Sequence, residues 1–320
     1  MRIITEESAH TGLGRIITRD TIALSDLDGT VLPLVHDPAQ RFIDPKAHDG
    51  FTRFNAIAPG QVIPITGRDW EQVLQSFHGK TPEFPVISSN GAQLHIPGQK
   101  EITHAFTLPE TTFLREMRHT MKEFKAKHPE LVTELKRFEV GFHSEPSTGY
   151  GHCSRDFIHA LANQCEAVLE TLEQKAQRKK LKLSDGRDAF TIASTEVTAK
   201  EMSHRGIDKL QAIQSFFAPQ LPASLRSGDW KNVIYFGDSL MKGNDRVIAI
   251  EVKQRGGLVC QVINGVPERI PSHEDPAHPH LVFNDPAALG AFWQDQVNAL
   301  KKGPAKPLPR RAAGSSHNNG

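Results

Sequence analysis

The chain has 320 residues, 38 Lys and Arg against 37 Asp and Glu, a formal net charge of +1, and 38% hydrophobic residues. That balance excludes the basic excess of a general nucleic-acid binder and the composition of a wholly disordered chain, and no apolar run approaches the ~18 residues of a membrane span. Three scattered cysteines (Cys153, Cys165 and Cys260) make no disulfide framework, and MRIITEESAH lacks a signal-peptide core. The expectation is a cytoplasmic protein of about two domains, with no nucleic-acid partner and no membrane contact.

Thr21 to Ser25 is a short apolar run that predicts a buried strand ending at Asp26. Pro45 to Ile57 predicts a helix: Asp44 can cap it, Pro45 suits its first position, and Phe51 and Phe54 share a face. Gln61 to Ile65 reads as a second strand, with Pro64 at odds with a central position. Trp70 to Phe77 reads as helical, and Phe84 to Ser88 as a third strand closed by Asn90-Gly91. Asn232 to Phe236, Gly257 to Ile263 and Leu281 to Phe283 predict further strands. Asp285-Pro286 opens a last helix, with Leu289, Phe292, Trp293, Val297 and Leu300 at helical spacing. Alternation of this kind implies a parallel sheet covered by helices.

The middle of the chain has a different order. Phe113, Met117, Met121 and Phe124 form one helical stripe, and Phe157, Leu161, Cys165, Val168 and Leu172 form another. Val132 to Ser144 reads as one strand, and Lys182 to Ile192 as two strands joined at Asp185-Gly186. This predicts an α+β module inserted into an α/β core. The division expected is an N-terminal arm over 1–18, a discontinuous core over 19–98 and 199–300, an inserted cap over 99–198, and a disordered basic tail over 301–320. His273, His278 and His280 lie among three prolines and read as a polar loop rather than a zinc site.

Four short segments carry chemistry. Asp26-Leu27-Asp28-Gly29-Thr30 directly follows the first strand, where ligands of open parallel sheets bind. Two carboxylates there can hold a cation, and one can attack an electrophile. Thr66 follows the second strand and offers a hydroxyl and neighbouring amides to a phosphate. Lys209 stands at a helix start, and Asp238 follows a strand, with Asn244-Asp245 close behind.

In this order the four segments resemble the motifs of the haloacid dehalogenase (HAD) superfamily of phosphohydrolases, from about Thr21 to Val262. The interval between Asp28 and Thr66 is short and that between Thr66 and Lys209 long, as in the branch with a C2-type cap. Within that branch Thr66-Gly67-Arg68-Asp69, Ser89-Asn90-Gly91 and Glu134-Leu135-Lys136, followed by His143, are similar to the trehalose-6-phosphate phosphatase family. The seven-residue interval from Asp238 to Asp245 departs from that family.

The resemblance implies a Rossmann-like parallel-sheet HAD core with an inserted α+β cap. It implies Asp26 as nucleophile, Asp28 as general acid and base, and Lys209 as their catalytic cation. Mg²⁺ would be held by Asp26, the Asp28 backbone carbonyl and Asp238, with Asp245 in support. Thr66, Gly67, Arg68 and Asn90 would bind substrate, together with Lys136 on the cap. Glu134 and Lys136 share a face of a straight strand, and His143 falls on the other. The substrate implied is a small phosphorylated sugar such as trehalose 6-phosphate. Sucrose-6-phosphate and mannosyl-3-phosphoglycerate phosphatases, a phosphomutase and a non-catalytic HAD-fold binding protein stay open as alternatives.

Overall fold

Apolar runs of two to five residues build the central sheet: β1 (Ile3–Ile4), β2 (Ile22–Ser25), β3 (Val62–Pro64), β11 (Val233–Gly237), β12 (Leu258–Val262) and β13 (Leu281–Phe283). The computed structural model describes residues 3–9, 15–35, 40–103, 119, 122–123, 126–127, 131–135, 139–144, 181–185, 189–194, 209–241 and 244–302. The six strands lie in the order β1-β13-β12-β11-β2-β3, and every pairing is parallel. The strand order reverses around β2, so the carboxyl end of β2 opens at a topological switch point.

Alternation along the strands sorts their side chains onto two faces. Ala23, Ile234, Phe236 and Val262 belong to one buried cluster, with Phe51 and Phe54 of α2 (Pro45–Ile57) and Trp293 and Val297 of the C-terminal helix (Pro286–Lys301). Ile22, Leu24, Val233, Tyr235 and Val259 belong to the other, with Ile248 and Val252 of the helix Asn244–Gln254. Helices therefore cover both faces.

α2 lies between α1 (Glu6–Ala9) and α3 (Trp70–Ser76) and has the bounds read from the sequence. Asp44 caps it, its Oδ1 accepting from Lys46 N and Ala47 N at 2.9 and 3.0 Å. Pro64 is accommodated because β3 is the outer strand. Ala23 N donates to Gln61 O and Ile65 N to Ser25 O, so by alternation the nitrogen of Pro64 faces away from β2, where no donor is needed. Ser88 pairs outward through β4 (Val86–Ser88), β5 (Gln93–His95) and β6 (Ile102–Thr103), a small antiparallel sheet. The segment read as an arm, residues 1–18, contributes an edge strand through β1. Within it, Ile16 N and Ile17 N donate to Gln296 Oε1 of the C-terminal helix at 2.7 and 3.1 Å. A two-residue strand carries too little pattern to be read in advance.

The inserted region contributes a four-stranded antiparallel sheet of β7 (Leu131–Leu135), β8 (Glu139–Ser144), β9 (Leu181–Asp185) and β10 (Ala189–Ser194), in the order β7-β8-β10-β9. The single strand expected over Val132–Ser144 is therefore two, paired Val132↔His143 and Glu134↔Gly141. The intervening Lys-Arg-Phe has none of the Gly, Pro or Asn that mark a turn. The hairpin changes the face assignment: by register Glu134 and His143 belong to one face of the sheet, which a straight strand would forbid. The two helical stripes, Lys136 and residues 303–320 lie outside the described residues.

Candidate active site

The first segment is a tight loop around one carbonyl. Thr30, Val31 and Leu32 all donate to Leu27 O, at 3.2, 3.0 and 2.8 Å, and Gly29 supplies the left-handed φ of 75° that the loop requires. This carries Asp26 off the end of β2 and sets Asp28 two residues on. A Cβ built on Gly29 would fall 2.4 Å from Asp238 Oδ2, so glycine alone allows the two strand ends to approach this closely.

Lys209 opens α4 (Lys209–Gln211), which continues in wider π-type turns through Phe216. Its Nζ donates to Asp26 Oδ1 at 2.5 Å and to Asp245 Oδ1 at 2.9 Å, and all three residues are buried. Asp245 belongs to α5 (Asn244–Gln254), and its other oxygen accepts from Ser239 N at 3.3 Å. The lengthened interval between Asp238 and Asp245 therefore leaves Asp245 within reach of Lys209.

Burial favours the neutral lysine, but the two carboxylates outweigh it and push Lys209 well above its ordinary range. Burial likewise opposes charge on Asp245, but Lys209 outweighs it and holds that carboxyl low. Asp26 is pushed up by burial against the pull of Lys209, and neighbouring Asp245, Asp238 and Asp28 add to the rise. Burial and the nearby Asp245 push Asp238 up to about 7.

Thr66, Gly67 and Arg68 form the rim after β3. Thr66 Oγ1 accepts from Arg68 N at 3.1 Å. The turn Ser89–Gly91 locks onto this rim, with Ser89 N donating to Arg68 O and Asn90 N to Thr66 O. Ser89, Asn90 and Gly91 all have positive φ, at 51°, 53° and 108°, which brings the Asn90 side chain against Gly67. The structure thus gathers Asp26, Asp28, Thr66, Gly67, Arg68, Asn90, Lys209, Asp238 and Asp245 around the strand ends.

One partner choice differs from the expectation. Arg68 grips Asp28 with two prongs, Nε to Oδ2 at 2.9 Å and Nη2 to Oδ1 at 2.7 Å. Arg41, which no motif marks, adds Nη1 to Oδ1 at 2.9 Å. Loss of water opposes charge on Asp28, but the two guanidinium groups hold its carboxyl well below the usual range. Asn264 also escaped the sequence reading; its Nδ2 donates to Gly29 O at 2.8 Å and braces the loop. A lone Arg and a lone Asn in loops carry no pattern that could single them out.

The donor set suits a hard divalent cation. Carboxylate oxygens of Asp26, Asp238 and Asp245 lie within 4.8 Å of one another. Asp26 and Asp238 are the carboxylates assigned to the ion from the sequence, and Asp245, expected in support, joins them; Asp28, assigned there only through its backbone carbonyl, has its side chain engaged by arginines instead. Among the described residues the histidines of the 273–280 loop form no such group. His278 Nδ1 bonds Pro271 O at 2.8 Å, and His280 Nδ1 accepts from Val259 N at 3.0 Å.

A family model described as trehalose-phosphatase matches residues 24–203. The chain belongs to the trehalose-phosphatase family. The trehalose-phosphate phosphatase of Mycobacterium tuberculosis is 24% identical over 177 residues, which are 55% of this chain and 41% of that protein. The alpha,alpha-trehalose-phosphate synthase [UDP-forming] B of Dictyostelium discoideum is 22% identical over 187 residues, 58% of this chain and 22% of that protein. The chain thus spans less than half the length of these curated relatives. Among solved structures, the C-terminal domain of a C. albicans trehalose-6-phosphate phosphatase aligns over 87% of this chain and 92% of its own, with a TM-score of 0.61 and 15% identity. A trehalose-6-phosphate phosphatase related protein aligns over 88% of this chain and 100% of its own, with a TM-score of 0.58 and 14% identity. These likenesses establish the fold, a HAD core with a parallel six-stranded sheet. No helix among the described residues is long and apolar enough to cross a membrane.

Proposed function

We propose that the protein is a Mg²⁺-dependent phosphatase that hydrolyses a small sugar phosphate, trehalose 6-phosphate or a close relative, through an aspartyl-phosphate on Asp26. The observation that carries this reading is the buried Asp26–Lys209–Asp245 arrangement at the end of β2, in a chain of the trehalose-phosphatase family. The same reading divides the chain into a core over 19–98 and 199–300 and a cap over 99–198.

Asp26 attacks phosphorus, and the bond from phosphorus to the sugar oxygen breaks. The departing oxygen takes a proton from Asp28. Asp28 then removes a proton from water, which attacks the aspartyl-phosphate, releases inorganic phosphate and restores Asp26. Lys209 keeps negative charge on Asp26 and faces the phosphate oxygens. Asp26, Asp238 and the Asp28 backbone carbonyl would hold Mg²⁺, with Asp245 in support. When bound, the ion supplies positive charge that offsets repulsion between the nucleophile and the phosphate.

The double arginine grip stabilises anionic Asp28, the form that acts as base in the second half. For the first half Asp28 must carry a proton, so Arg68 and Arg41 must turn from it toward the incoming phosphate. Thr66, Gly67 and Asn90 line the same rim, and Lys136 and Glu134 on the cap are proposed to read the sugar. Phosphate release with Mg²⁺ from trehalose, sucrose and glucose 6-phosphates and mannosyl-3-phosphoglycerate tests the reading. Release from a single disaccharide phosphate, absent in Asp26→Asn, is the expected result. Isomerised product without free phosphate would instead identify a mutase.

A further inference from the structure

Arg269 belongs to none of the segments singled out above, yet its Nη1 stands 3.8 Å from Asp238 Oδ2. It ends a short 3₁₀ turn, Pro267–Arg269, on the surface beside the strand ends. Gln261 explains why that turn sits there. Gln261 lies inside β12 with no exposed surface, where an amide is costly unless hydrogen-bonded. Its Nε2 donates to Asp238 O at 3.3 Å and to Arg269 O at 2.9 Å. One buried side chain therefore ties the backbone of the carboxylate to the backbone of the arginine.

The charges around the site are paired. Among the described residues, Asp26 and Asp245 share Lys209, Asp28 takes Arg68 and Arg41, and Asp238 pairs with Arg269. Among the described residues, four carboxylates thus meet four cations. A divalent ion bound to these carboxylates would compete with their cations. Asp238 holds the loosest of them: 3.8 Å is beyond hydrogen-bond length, and the Arg269 side chain is 25% exposed. An ion bonded to the same oxygen would lie within about 6 Å of the guanidinium, where a single and a double positive charge repel appreciably.

We propose that Arg269 is a positioning residue that competes with the metal for Asp238 and thereby sets how tightly the site takes a divalent cation. The inference rests on the metal-dependent reading above and adds to it a built-in counter-ion. Its consequence is a site that releases the ion more readily than its carboxylates alone would allow.

Calorimetric titration of Mg²⁺ into the metal-free full-length protein tests this, with Arg269→Gln and Arg269→Lys beside the wild type. Arg269 is on a surface turn, and far-UV circular dichroism checks that both variants keep the fold. Arg269→Gln is expected to bind Mg²⁺ about tenfold more tightly at low ionic strength, and Arg269→Lys to stay within about twofold of wild type. The difference should shrink as salt is added, because the guanidinium is partly exposed. Equal or weaker binding by Arg269→Gln overturns the proposal, as does a lysine variant that behaves like the glutamine one. A folded wild type that takes up no Mg²⁺ overturns the metal reading itself, and this inference falls with it.

Discussion

The two aspartates of the first segment stand two residues apart in very different company. Asp26 is paired with Lys209, which Asp245 holds from its other side, and the three side chains are 8%, 6% and 4% exposed. Asp28 is 31% exposed and is gripped by arginines from two separate segments. A buried pair cannot exchange partners without leaving a charge stranded, whereas a pair at the rim can be replaced by water or by ligand. The contrast matches the proposed roles: the nucleophile is preset, and the acid–base group changes protonation state twice in each cycle.

The contrast breaks most severely at Lys209. Lys209→Met leaves Asp26 and Asp245 buried without their shared cation. It is expected to lower kcat by on the order of 10³-fold and to lower stability by about 3–5 kcal/mol. Steady-state kinetics and urea unfolding measure both, and a fully active or fully stable variant would refute the preset half of the site.

Gly29→Ala attacks the junction of the two halves. Its Cβ would fall 2.4 Å from Asp238 Oδ2 at a φ of 75°, so the loop and the carboxylate must part. The expected outcome is a loss of about 1–3 kcal/mol in thermal unfolding and a clear loss of Mg²⁺-induced stabilisation.

Asp238→Asn sharpens the electrostatic side. The Asp238 carboxyl is pushed up to about 7 in the folded metal-free protein, from an ordinary value of 3.8. The folded state therefore holds a proton that the unfolded chain releases. The stability this contributes is complete below about pH 4 and is lost as pH rises through about 7. Asn carries no such loss, so metal-free Asp238→Asn should be more stable than wild type above pH 7, by about 1–3 kcal/mol, and nearly equal to it in acid. Melting curves across pH without metal check the sign.

Arg41→Gln touches the adjustable half and should do least to the fold, under about 1 kcal/mol. With one guanidinium removed Asp28 is held down less strongly, so the acid limb of the kcat profile should move to higher pH. An unchanged profile would show that Arg68 alone governs Asp28.

Elements with local punctuation were legible in the sequence. Asp44-Pro45 and Asp285-Pro286 announced their helices because cap and first-turn signals sit beside the helix they start. β13 was readable as a bare apolar run with both faces buried. β5 was not, because Gln93–His95 is mostly polar; its Gln93 and His95 are buried against Ser88 and Ser89, whose hydroxyls bond them. The hairpin of β7 and β8 was hidden by a turn without turn residues. At the site, sequence order identified which side chains meet, since strand ends in a parallel sheet converge whatever lies between them. It did not identify who pairs with whom. Arg68, expected to bind substrate, is found on Asp28, and Arg41, Asn264 and Arg269 reach the site from loops by tertiary packing alone.

The most direct measurement of the central claim is phosphate release from trehalose 6-phosphate by the purified protein with Mg²⁺, beside Asp26→Asn. The account predicts Mg²⁺-dependent release by the wild type and a loss on the order of 10⁴-fold or more in the variant, with both proteins folded. Release that persists in Asp26→Asn, or that proceeds equally well in chelator, would contradict an aspartyl nucleophile working beside a bound metal.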